Sequence, residues 1–71
     1  MTVFCYSKIL SSIYKIDVNL DPKKDCIKKF KEECVNRLNE LGFNVDIFDI
    51  SVCFSLDELP KYTRKKLLYN I

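Results

Sequence analysis

Histidine is absent from this chain, glycine occurs once, and no two cysteines stand three residues apart. Each gap removes a class of chemistry. Without histidine there is no imidazole to act as a general base near neutral pH, and the usual zinc spacings cannot form. One glycine is too few for a phosphate-cradling loop, which needs close approach of the backbone. No G-x-S-x-G or C-x-x-C occurs, so nucleophile-elbow and dithiol chemistry have no carrier. No apolar run approaches the roughly 18 residues of a membrane span. The opening MTVFCYSKIL lacks the basic end and unbroken apolar stretch of a secretory signal. These absences predict a cytoplasmic protein that is not an enzyme, holds no cofactor or metal, and does not enter a membrane.

What is present describes a small globular chain. Seventy-one residues, 48% hydrophobic and 31% charged, predict a single domain over 1–71 and exclude disorder. A chain this short buries only about 60% of its unfolded surface, so association with a neighbour would help to stabilise it. The net charge of +2 is far below that of a dedicated DNA-coating protein and has the wrong sign for an acidic DNA mimic.

Four cysteines, Cys5, Cys26, Cys34 and Cys53, invite a disulfide or metal reading. Cys26 and Cys34 share a predicted helix eight residues apart, about 12 Å along its axis, beyond the roughly 7 Å a disulfide spans between Cα atoms. The set reads as reduced thiols used as small hydrophobes, with a Cys5–Cys53 bridge between strands as the alternative.

TVFCYSKIL and IYKIDVNL flank Ser11-Ser12 and are rich in β-branched and aromatic residues. Apolar residues take odd positions in the first run (Val3, Cys5, Ile9) and even positions in the second (Tyr14, Ile16, Val18, Leu20). They share a face only if paired numbers sum to an odd value, which means an even loop. A turn on Ser11-Ser12 or a four-residue loop over Leu10–Ile13 satisfies this, with Ser7 the lone polar member of the face. Ile9, Ile13, Ile16 and Leu20 also recur at helical spacing, so a helix competes with the hairpin.

DPKKDCIKKFKEECVNRLNELG predicts a twenty-residue helix, with Asp21 as cap, Pro22 in the first turn and Gly42 as terminator. Ile27, Phe30, Cys34, Leu38 and Leu41 form its apolar stripe, widened by Cys26 and Val35. Asp25–Lys29 and Glu33–Arg37 are favourably ordered pairs. FNVDIFDISVCF predicts a strand whose apolar phase flips at Phe48-Asp49, through either a β-bulge or a sharp bend into two short strands. In SLDELPKYTRKKLLYNI, Ser55 and Glu58 form a capping-box pattern. Pro60 disfavours a helix through it, so a short turn over 55–59 followed by a helix from about Pro60 is expected. The predicted fold is α+β, order ββαβα: a small antiparallel or mixed three-stranded sheet with two helices packed on one face.

Two surfaces stand out. The second face of the hairpin collects Phe4, Tyr6, Leu10 and Ile13, more apolar area than scatter explains, and predicts a protein-docking surface or a homodimer interface. The terminal segment 61–70 holds four bases, two tyrosines and no acid, after seventeen residues with four acids and no base. On the predicted helix Tyr62, Lys65, Lys66 and Tyr69 lie off the core stripe, suited to a protein hot spot or to stacking beside phosphates. Lys23, Lys24, Lys28, Lys29 and Lys31 near the start of the long helix add weight to an anionic partner. The carboxylate pairs Asp46/Asp49 and Asp57/Glu58 come with no evident pocket and read as surface charge.

In size, in its lysine, isoleucine and asparagine usage and in its lack of motifs, the chain resembles small proteins of AT-rich phages and viruses. The resemblance covers no motif. It implies a binding protein that inhibits a host factor or defence complex. The expectation is a non-enzymatic protein-binding module acting through Phe4, Tyr6, Leu10 and Ile13 or through Tyr62, Lys65, Lys66 and Tyr69. A small nucleic-acid-binding protein is the alternative.

Overall fold

The structure is a computed structural model and describes residues 1–59, 61 and 67–70. The chain enters as β1 (Thr2–Ser7) and β2 (Ser12–Asp17), followed by α1 (Ile27–Glu40) and β3 (Ile50–Cys53). A 3-10 turn at Leu56–Glu58 and β4 (Leu67–Asn70) complete the described elements. The sheet order is β3-β1-β2-β4, with β1 antiparallel to both β2 and β3 and β4 parallel to β2.

The fold is therefore not two helices on a three-stranded sheet. Among the described residues there is one α-helix and a four-stranded mixed sheet. Residues 67–70, expected in a terminal helix, form the fourth strand. Leu67 and Leu68 lie opposite Ser12 and Ile13, so pairing with β2 overrides the helical spacing of the leucines.

The hairpin forms with the expected parity. Val3 pairs with Ile16 and Cys5 with Tyr14, and the loop is Lys8–Ser11, earlier than either predicted turn. Ile9, assigned to the core, is 70% exposed in that loop. Ser11 takes a positive φ of 50°, a conformation better suited to glycine or asparagine. Tertiary contacts support it. The Asp49 carboxylate accepts from the Ser7 hydroxyl and, at 2.9 Å, from the Ile9 amide, while the Asp49 carbonyl accepts from Lys8 N–H at 3.4 Å. The Ser7 hydroxyl oxygen in turn accepts from Leu10 N–H at 3.1 Å.

The long helix is shorter than predicted. Asp21 accepts from the Lys23, Lys24 and Asp25 amides through its side chain and carbonyl, closing a turn of its own. Cys26 then has extended backbone, and the helix opens at Ile27. Asp25 is held below the usual carboxylate range, chiefly by the Asp21 amide and then by Lys29. The expected pairs Lys29–Asp25 (3.4 Å) and Arg37–Glu33 (3.3 Å) are present; water and salt screen such surface pairs, so they contribute little to stability. At the other end Gly42, at φ +99°, donates to the Asn39 carbonyl and Phe43 N–H donates to that of Leu38. This double return closes the last turn.

Phe30, Cys34 and Leu38 are the helix's buried residues, while Ile27 and Leu41 at the stripe's ends are exposed. They pack on Val3, Cys5, Tyr14, Ile16, Val18, Val45 and Ile50. Segment 43–49 is not a strand. The phase flip at Phe48-Asp49 marks a turn over 47–49, with the Asp46 carboxylate accepting from the Phe48 and Asp49 amides, and pairing begins only at Ile50.

The opposite face of the sheet is not left open to solvent. After β3 the chain folds across it, and Leu56 and Leu59 close over Ile13 and Cys53, with Phe4 and Tyr6 around them. The turn that carries them is held by the predicted capping box: Asp57 N–H donates to the Ser55 hydroxyl and Ser55 N–H to the Glu58 carboxylate. A 3-10 turn of three residues thus does the covering expected of a partner.

All four cysteines are free. A Cys5–Cys53 bridge is excluded by the pleat: Cys5 faces α1 and Cys53 the opposite side, with Cys5 opposite Val52 and Phe4 opposite Cys53. The neighbouring Cys34 thiol and burial push Cys5 well up, and burial raises Cys53. Native protein should therefore release one equivalent of thionitrobenzoate rapidly, from exposed Cys26, and the other three only after unfolding. Two fast equivalents would contradict this packing.

Candidate binding site

The parallel register places Tyr14 of β2 beside Tyr69 of β4 on the face that carries α1. Their rings stack with centroids 5.6 Å apart and planes 21° apart. The chain return after Gly42 brings Phe43 to the other side of Tyr14, at 5.6 Å and 56°. Leu10 reaches in from the hairpin loop, and Ser12 contributes a hydroxyl that donates to the Leu10 carbonyl at 3.0 Å. Leu10, Ser12, Tyr14, Phe43 and Tyr69 line a cavity of about 330 Å³.

Among the described residues that line this cavity, none is charged. Burial pushes the Tyr14 phenol upward, the hydrogen bond to Ser12 opposes the shift, and charge repulsion from the neighbouring Tyr69 phenol adds a smaller push in the same direction as burial. The Tyr14 phenol is thus neutral at physiological pH. Tyr69 is 45% exposed, so it joins the cavity to the surface. Three aromatic walls and one leucine suit a neutral apolar group held by ring contacts.

The residues singled out in the sequence are divided by the fold. Ile13 is 1% exposed and belongs to the core under Leu56 and Leu59, with Phe4 and Tyr6 half-buried at its margin. Leu10 was grouped with them, but it packs against the helix-side core and lines the cavity. Tyr69 lies on a strand at the same cavity. Tyr62, Lys65 and Lys66 fall outside the described residues. Tyr14 and Phe43 carry the site, yet their spacing reads only as core and helix termination. Nothing local in the sequence signals that β4 runs parallel to β2, and that pairing assembles the walls.

Asp46 and Asp49 are occupied as turn acceptors and neither lines the cavity. Among the described residues no group of three His, Cys, Asp or Glu side chains is placed to hold a metal ion. No described helix is long and apolar enough to cross a membrane. The class these features define is a small α+β domain, a mixed four-stranded sheet under one helix, with an aromatic cavity at the β2–β4 margin. No family model, curated protein or solved structure matches this chain.

Proposed function

We propose that this chain is a non-enzymatic protein-binding module that takes an apolar side chain of its partner into the Leu10–Tyr14–Phe43–Tyr69 cavity. One observation supports the reading most: an aromatic cavity of about 330 Å³, with no charged side chain among its described lining residues, opens at the half-exposed Tyr69. Inhibition of a host factor, implied by the compositional resemblance, is one way such a module acts. The covered second face moves the proposed contact from Phe4, Tyr6 and Ile13 to Leu10 and Tyr69.

Affinity capture from nuclease-treated lysate tests it, using the whole chain, Tyr69→Ala, Leu10→Asp and the remote surface variant Phe48→Ser. Circular dichroism verifies that each variant folds. A partner retained by the parent and by Phe48→Ser, but lost from both cavity variants, is expected. Equal retention by Tyr69→Ala and Leu10→Asp removes the cavity from the interaction. A partner lost to nuclease, with binding that falls steeply as salt rises, supports the nucleic-acid reading instead.

A further inference from the structure

Two phenols meet in the ring stack at the cavity. In the parallel β2–β4 register Tyr14 and Tyr69 are direct partners, and neighbouring strands run about 4.7–4.9 Å apart. Both rings leave the same face of the sheet side by side, with centroids 5.6 Å apart and planes 21° apart. That separation lies within the roughly 4.5–7 Å of offset-stacked pairs, so the ring edges are neighbours with no change of backbone. Tyr69 is 45% exposed and Tyr14 is 4% exposed, which presents an oxidant with one open ring and a second sheltered behind it. We propose that Tyr14 and Tyr69 form an oxidative cross-linking site, joined as an intramolecular dityrosine by a one-electron oxidant of the haem-peroxidase class acting with hydrogen peroxide. The pair needs no occupant in the cavity, so it is independent of the protein-binding reading above.

Each phenol gives one electron to the oxidant and one proton to water. The two phenoxyl radicals then form a new Cε–Cε bond, and the hydrogens on those carbons move to the oxygens as the rings regain aromaticity. Hydrogen peroxide takes up the two electrons and two protons and leaves as two waters. Other oxidisable groups are less well placed. Tyr6 packs on the opposite side of the sheet with Ile13 and Leu59. Phe43, at 5.6 Å on the other flank of Tyr14, has no phenol to oxidise. Cys5 lies opposite Tyr14 on β1, but its thiol neighbours that of Cys34. A Cys5–Tyr14 thioether is the competing product.

Treatment of the dilute whole chain with a haem peroxidase and limiting hydrogen peroxide tests the site. After reduction and alkylation of its thiols, the monomer should have lost the mass of two hydrogens and should show the blue fluorescence of dityrosine. Peptide mapping should find one link, between the peptides that hold Tyr14 and Tyr69. Because that link closes most of the chain into a loop, the linked monomer should unfold at a higher urea concentration than the parent. Tyr14→Phe and Tyr69→Phe keep both rings and remove one phenol, so each should lose the link, whereas Tyr6→Phe should keep it. Circular dichroism verifies that the three variants fold. The parent treated in concentrated urea should lose its preference for this pair, since nothing then holds β4 beside β2. An unmodified monomer, dityrosine found only in dimers, a link that maps to Tyr6 or Tyr62, or a Cys5–Tyr14 thioether each overturns the site.

Discussion

Ile13→Asp will leave the chain unfolded or close to it at 25 °C. Ile13 is 1% exposed between the sheet and the Leu56–Leu59 turn. Truncation of such a residue to alanine already costs about 2–5 kcal/mol. A carboxylate there must also lose its water without a partner or take up a proton, which costs several kcal/mol more. The total available is small, since about 0.05–0.15 kcal/mol per residue over 71 residues gives roughly 4–11 kcal/mol. Far-UV circular dichroism and urea titration will show the loss. If the site were an open docking face, the variant would keep native stability and lose only its partner. A folded Ile13→Asp protein with an unchanged urea midpoint would refute the covered second face.

Asp49→Ala should destabilise the chain by about 3 kcal/mol, although Asp49 lies in a turn. Its carboxylate accepts from the Ser7 hydroxyl, which is fully buried, and from the Ile9 amide across 40 positions of sequence. Removing it strands the Ser7 hydroxyl, at about 1–3 kcal/mol for a donor left unpaired in the interior, and takes its acceptor from the part-buried Ile9 amide. Ser7→Ala removes one of those donors, so the double variant should be less damaged than the sum of the singles by about 1 kcal/mol. Urea unfolding of the four proteins measures this. Asp49→Ala within experimental error of the parent, or strict additivity, would show that the two turns are not tied by this carboxylate.

The two substitutions mark where reading the sequence succeeds and where it stops. Alternation in 3–7 and 14–18 states which residues of the hairpin share a face, because the pleat alternates sides whatever else surrounds it. The spacing of Phe30, Cys34 and Leu38, followed by Gly42, states the helix and its termination. Ser55 and Glu58 state a capped turn, and the register break at Phe48-Asp49 states an interruption. The start of α1 was misread because Asp21-Pro22 closes a separate turn before Cys26. Leu67–Asn70 was misread because leucines at helical spacing also suit a strand once a neighbour supplies hydrogen bonds.

Of the site, only Leu10 and Tyr69 were legible as surface contacts. They were assigned to separate surfaces, and the parallel β2–β4 register joins them through Tyr14. A parallel neighbour leaves no mark in either strand, since its partner lies some fifty residues away and its hydrogen bonds carry no side-chain code.

By itself the amino-acid sequence determined the local periods, the caps, the charge segregation and the lack of imidazole and glycine-loop chemistry, because these depend on neighbours within a few bonds or one helical turn. Tertiary structure alone decided which apolar residues were sheltered, which strand lay beside β2, and that an aspartate in one turn would complete another. Those outcomes depend on distant segments competing for the same hydrogen-bonding edge and the same dry surface, and the competition is resolved only when the whole chain has packed.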